Sequence, residues 1–158
     1  MFRPMRRFRQ QLTDEEAMRI LKEGHLGVLS VQGDDGYPYG MPLDYVCDDS
    51  GRIYFHCAGE GHKMDAIRRD DKVSFCVMDQ GTVDEGDFAR RVNCVIVFGR
   101  IRMLQDREQI KQKAMELAMH IFPEQKAFYQ KDLQTSGNRV QVLELTPEHI
   151  TGKRVHEQ

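Results

Sequence analysis

No stretch of the 158 residues is long and apolar enough to span a membrane, and no charged-then-apolar segment like a secretion signal opens the chain. These absences lead to the expectation of a cytoplasmic protein with no membrane partner. Excess charge is missing too. The 23 Lys and Arg against 25 Asp and Glu leave a net charge of -2, which gives no broad attraction to nucleic acid. The four cysteines, Cys47, Cys57, Cys76 and Cys94, form no CxxC pair. Three of them fall in strand-like runs, where free cysteine behaves as a small buried hydrophobe, so no disulfide framework is expected. The His and Cys spacing is wrong for structural zinc, and no metal site is expected. No GxGxxG follows a strand, which removes a Rossmann-type dinucleotide site. There is no tryptophan, no internal repeat and no low-complexity tract. What remains is the length and composition of one soluble domain with one sizeable core.

The stretch around which the chain is organised is 52–64, RIYFHCAGEGHKM. Ile53, Phe55 and Cys57 alternate with Tyr54 and His56, so the two sets take opposite faces of a strand. Gly59 and Gly61 bracket Glu60 and allow a sharp turn with close backbone approach to a ligand. His62 and Lys63 then open a short helix. Free amides and the positive end of the helix dipole point outward there. A lysine at that end is misplaced for helix stability alone. It fits either an anion, most simply a phosphate, or an ordinary solvated surface position.

Residues 1–11 carry Arg3, Arg6, Arg7 and Arg9 and form a basic arm. The arm is either a solvated tail or a segment laid across a partner subunit or over a phosphate. Residues 12–158 read as a single domain. Thr13 and Glu16 match a capping box at the start of a first helix that ends at Gly24, a place where a left-handed residue is cheap. Strands are expected at 26–31, 37–47, 72–78, 92–104 and 139–145, with a short last one at 150–155 after Pro147. Pro38 and Pro42 cannot donate ladder hydrogen bonds, so the 37–47 run must be an edge, bulged or open to a ligand. The run 79–90 is an acidic loop. Asp106 caps a helix stopped by Pro123, and 124–137 has no clear pattern. In 92–104 both faces are apolar: Cys94, Ile96 and Phe98 on one, Val95 and Val97 on the other. Such a strand must be covered on both sides, and in so small a protein a second subunit is the natural cover. Strands outnumber crossover helices, which points to a small antiparallel barrel. His56 and Cys57, as strand neighbours, cannot form one metal site or one nucleophilic pair; Cys94 with His56 stays open.

Four segments in order, GVLSVQGDDGYPYGMPLDYV, IYFHCAGEGHKMDAIRRDDKVSFCV, NCVIVFGRIRML and ITGK, resemble the pyridoxamine 5'-phosphate oxidase-related flavin-binding proteins, over roughly residues 5–153. IYFH followed by GHK is the most specific part. The nitroimidazole-resistance branch is the nearest in pattern. The resemblance implies a mainly β (α+β) fold, a six-stranded antiparallel Greek-key split barrel with outer helices. It also implies a homodimer with two FMN molecules at the subunit interface.

On this chain the resemblance puts the flavin ring along Gly40, Met41, Pro42 and Leu43. His56, Cys57 and Ala58 line the cofactor, and His62 and Lys63 hold its phosphate. Asn93, Cys94 and Val95, with Arg91, come from the partner subunit. His56 is the candidate catalytic or substrate-contacting residue. The lack of tryptophan leaves no indole over the site, and the substrate motifs of the true pyridoxamine phosphate oxidases are absent, which argues against vitamin B6 oxidation. The implied activity is FMN-dependent reduction of small organic compounds, nitroaromatics among them. A flavin or haem carrier or sensor without turnover is the alternative.

Overall fold

The computed structural model describes residues 1–83, 85–86, 90–136 and 139–155. Part of the expected acidic loop (84 and 87–89) and the last three positions of the domain therefore lie outside the described residues. Among the described residues four α-helices and seven strands follow in order: α1 (Asp14–Glu23), β1 (Leu26–Gln32), β2 (Pro38–Asp44), β3 (Val46–Cys47), β4 (Ile53–Cys57), α2 (His62–Arg69), β5 (Lys72–Met78), β6 (Val92–Met103), α3 (Arg107–Ile121), α4 (Lys126–Ser136) and β7 (Gln141–Val155).

All strand pairings are antiparallel, in the order β2-β1-β5-β6-β7-β4-β3. The two ends of that order, β2 and β3, are halves of one run interrupted only at Tyr45. Met41, Tyr45 and Cys47 are buried and Leu43 is half-buried, so the in-out alternation runs through the interruption. What changes at Tyr45 is the partner: β1 before it, β4 after it. The sheet thereby closes on itself. Counting β2 and β3 as one strand gives the six-stranded split barrel, with edges removed by closure everywhere except at the split.

Local chemistry explains the elements. Thr13 and Glu16 complete the capping box at α1, with Thr13 Oγ1 accepting from the Glu16 amide at 3.2 Å and Glu16 from the Thr13 amide at 2.9 Å. Asp106 caps α3 by accepting from the Gln109 amide at 2.7 Å. Two expectations are corrected. Gly24 has extended rather than left-handed backbone (φ -73°, ψ 154°). Glycine is needed because a Cβ there would collide with the hydroxyl of the buried Tyr45. Pro147 does not separate two strands. β7 runs through it, and the ladder with β6 shifts register between Phe98 and Gly99, so that Glu148 is an extra residue. A bulge is how a strand absorbs a proline without losing its pairing. The unpatterned 124–137 region contains α4.

The barrel core joins Leu29, Phe55, Phe75, Val95, Val97 and Leu145 with Leu21 of α1 and Met64 of α2. Full burial of each large side chain is worth roughly 1.5–3 kcal/mol. A second cluster forms where Ile110 and Ala114 of α3 cover Tyr54 and Val142 on the outside of β4 and β7. Beneath it, Glu144 is 3% exposed and paired with Arg102 at 2.7 Å.

The outer face of β1, β2, β5 and β6 is different. Pairing aligns Pro42, Val28, Cys76 and Ile96 in one row and Gly40, Ser30, Ser74 and Phe98 in the next. Val28, Ile96 and Phe98 remain 37%, 36% and 40% exposed. The strand read as apolar on both faces is thus covered by core on one side only within this chain.

Candidate functional site

The split is bounded by β2 on one side and the end of β4 on the other. β2 pairs only with β1, and β4 beyond Tyr54 pairs only with β7. Each therefore presents one main-chain edge to the gap. The prolines fit this place: Pro38 and Pro42 lie on the edge strand, where a missing N–H removes no central ladder bond. Gly40 and Pro42 face outward and are exposed, Met41 turns into the core at 9% exposure, and Leu43 is half-buried. On β4, His56 is exposed, Cys57 is buried among core residues, and Ala58 at the start of the following loop is exposed. Burial raises the Cys57 thiol pKa, and the nearby Lys63 charge offsets only part of that rise.

Past Ala58 the chain turns through Gly59, Glu60 and Gly61 into α2. Gly61 has φ 115°, a conformation open to glycine and strained for other residues, and a Cβ at Gly59 or Gly61 would meet nothing within 4 Å. No side chain caps α2. Its first amide bonds begin with Met64 and Asp65 donating to the Gly61 carbonyl, at 2.8 and 3.1 Å, which leaves the His62 and Lys63 amides pointing out of the helix end. Arg68 fixes the loop by donating to the Gly59 carbonyl at 3.0 Å while pairing with Asp65 at 2.9 Å. Lys63 is half-buried and makes no ion pair among the described residues.

His62 has a different environment from Lys63. Its ring stacks on Tyr39 (centroids 4.3 Å apart, 16° between planes), and its Nε2 lies 3.4 Å from Asp34 Oδ2. Asp34 also takes Arg69 at 2.7 Å. The Arg69 hydrogen bond is the largest effect on the Asp34 carboxyl; burial opposes it, the Arg69 and His62 charges add to it, and the carboxyl is held below its ordinary value. Sequence reasoning missed Asp34, Tyr39, Arg68 and Arg69. Asp34 reads as a turn residue and Tyr39 as an edge-strand aromatic, and no spacing rule links either to a histidine on a later helix.

The residues expected from a partner subunit lie away from this loop. Cys94 is half-buried on the outer face, beside Lys153 in the β6–β7 ladder. Val95 is fully buried in the core. Asn93 is held by Asp79, which accepts from its side-chain amide at 2.7 Å and from its backbone amide at 3.0 Å. Arg91 forms a bridge with Thr82 and is exposed. Cys94 and His56 do not meet within one chain: their partners on β7, Lys153 and Val142, sit near opposite ends of that strand. Among the described residues no group of three or more His, Cys, Asp or Glu is arranged to hold a metal, and no helix is long and apolar enough to cross a membrane.

Residues 13–154 match the family model described as pyridoxamine 5'-phosphate oxidase. No curated protein matches the sequence. Among solved structures, a proposed 5-nitroimidazole antibiotic resistance protein from Bacteroides thetaiotaomicron superposes with a TM-score of 0.75 at 15% identity, covering 91% of this chain and 86% of that one. A FAD-binding protein from Mesorhizobium loti gives 0.68 at 21% identity, covering 92% and 97%. A flavocytochrome from Azotobacter vinelandii gives 0.79 at 14% identity, covering 98% and 73%. At these identities the likeness establishes the split-barrel fold.

Proposed function

The chain belongs to the pyridoxamine 5'-phosphate oxidase family, and from that premise we propose that it is an FMN-binding homodimeric oxidoreductase acting on small organic compounds, nitroaromatics being the substrate class to try first. Flavin-binding neighbours and a proposed nitroimidazole-resistance neighbour support the reading. The observation that carries it is the uncapped start of α2, with an unpaired Lys63, beside a split whose two strand edges are unpaired.

The residues fit the cofactor. Lys63 Nζ and the outward amides of His62 and Lys63 would receive the phosphate, combining a full charge with the helix-end dipole. The absence of side chains at Gly59 and Gly61 leaves room for close approach of the backbone. His62 takes a supporting part, because Asp34 and Tyr39 hold its ring. The free main-chain edges of β2 and β4 would meet the polar rim of a flat ring, and Gly40 and Pro42 leave that side shallow. Bound flavin supplies hydride or electron transfer. His56, exposed and with no side-chain hydrogen bond or ion pair among the described residues, lies on the part of β4 that borders the split. Its imidazole is the side chain placed to donate a hydrogen bond or proton to a substrate at the split. A second copy would cover the apolar outer face and bring Cys94 and its neighbours to the site.

The test is titration of the purified protein with FMN and with riboflavin, followed by flavin fluorescence, in wild type and Lys63→Ala. Loss of one charge-assisted contact should weaken FMN binding by about ten- to a hundredfold and leave riboflavin nearly unchanged. Equal loss for both ligands would place the phosphate elsewhere. Failure of either flavin to bind would remove the flavoprotein reading.

A further inference from the structure

Main chain closes the split at one end only. β2 and β3 are one run, and β3 pairs with β4 through Val46↔Tyr54 and Cys47↔Ile53. Before Tyr45 the same run pairs with β1 instead, so no ladder bond joins β2 to β4. Continued across the gap, the β3–β4 register would set Tyr39 opposite Gly61, beside the start of α2. Gly40, Met41, Pro42 and Leu43, the strip proposed for the flavin ring, lie between Tyr39 and Tyr45.

Side chains hold the open end. The Tyr39 ring of β2 stacks on the ring of His62, the first residue of α2, with centroids 4.3 Å apart and 16° between planes. Asp34, on the 3-10 turn Asp34–Gly36 between β1 and β2, reaches α2 twice. Its Oδ2 lies 3.4 Å from His62 Nε2, and its Oδ1 lies 2.7 Å from Arg69 Nη1. One carboxylate therefore meets side chains from both ends of α2. Arg69 also donates to the Gln32 carbonyl at 3.5 Å. Among the described residues, these are all the side-chain hydrogen bonds, ion pairs and ring contacts between the β1–β2 hairpin and the segment 53–69. Asp34, His62 and Arg69 are exposed, and ion pairs at such positions add little to stability by themselves. Their value lies in their place. They bridge the two banks of the split at the end where no ladder does, between the strip offered to the ring and the helix end offered to the phosphate.

We propose that Asp34 and Tyr39 are positioning residues that act through His62 and Arg69, clasping β2 to α2 and setting the spacing between the ring strip and the phosphate end of the flavin site. The inference rests on the flavin reading above and concerns how the two halves of that site are joined. A ligand with both a ring and a phosphate gains the full benefit of its second contact only when the spacing is preset. A ligand with only one of the two groups does not sense the spacing.

The experiment titrates the full-length protein with FMN, with riboflavin, and with FMN against inorganic phosphate as competitor at constant ionic strength, followed by flavin fluorescence. Asp34→Ala/Tyr39→Ala should weaken FMN binding by about tenfold and leave riboflavin affinity and the competing strength of phosphate within about twofold. Asp34→Asn/Arg69→Gln, which keeps the half-buried Tyr39, should show the same pattern with about a threefold loss for FMN. Circular dichroism checks that both variants fold. Unchanged FMN affinity in both variants overturns the clasp. Parallel loss for FMN and phosphate overturns it too, because Asp34 and Tyr39 would then shape the phosphate site itself. Parallel loss for FMN and riboflavin overturns it by placing them in the ring site. A wild-type protein that binds neither flavin removes the flavoprotein reading, and the clasp with it.

Discussion

Ile96→Asp tests the proposed dimer through the outer face. Full burial of a Val, Ile or Phe side chain is worth roughly 1.5–3 kcal/mol. Val28, Ile96 and Phe98 expose 37%, 36% and 40% of their surface. Covering the remainder gives about 0.5–1.2 kcal/mol for each, or about 3–7 kcal/mol for the six side chains of a two-fold pair. Ile96 closes the row that runs Pro42, Val28, Cys76, Ile96. In the proposed two-fold pair, aspartate there would remove two apolar contributions and desolvate two carboxylates. The combined loss is about 4 kcal/mol or more, about a thousandfold in dimer Kd. The monomer should tolerate the change, because the position is partly open to water. Sedimentation velocity from micromolar upward should show a dimer for wild type and a folded monomer for Ile96→Asp, with circular dichroism unchanged. A wild-type monomer at micromolar concentration, or an undisturbed dimer in the variant, would refute the reasoning.

His56→Ala should leave flavin stoichiometry unchanged and lower turnover of an accepted nitroaromatic by about a hundredfold; lost flavin with unchanged turnover per bound flavin would make His56 an anchor instead. Gly24→Ala should destabilise the fold by about 1–3 kcal/mol in urea unfolding, because the new Cβ meets Tyr45. Tyr45→Phe should recover most of that loss, since the buried Tyr45 hydroxyl has no hydrogen-bond partner among the described residues; simple additivity would contradict the collision. The depressed Asp34 carboxyl adds stability at pH above its unfolded value, near 3.8, and loses it as pH falls through the lower folded value. Wild type should therefore exceed Asp34→Asn in stability at pH 6, with the gap closing below about pH 3.8; a gap independent of pH in denaturation curves would contradict the Arg69 and His62 contacts.

Much of the local geometry around the candidate site was legible because it is set within a few residues. The alternation in 53–57 placed Phe55 inward and His56 outward, and the glycines before His62 placed a helix start there. The apolar character of Ile96 and Phe98 gave the uncovered outer face. Contacts between distant segments were not legible. His62 reads as a free helix-end residue beside Lys63, yet Asp34 and Tyr39 from the β1–β2 connection and β2 hold it. Gly24 reads as a helix terminator, yet Tyr45 imposes it.

The sequence by itself determined the short-range structure: which residues alternate, where helices are capped, where a proline forbids a central ladder position, and where positive charge accumulates. Each follows from interactions within a few residues, set by backbone geometry and side-chain type. Tertiary structure alone decided that the 38–47 run changes partner at Tyr45, so that one strand closes the barrel and leaves the split. It alone decided that Pro147 becomes a bulge instead of an end. The physical reason is that pairing and closure depend on which distant strands bury their apolar faces together. That is a property of the whole sheet, and one strand's pattern is compatible with several partners.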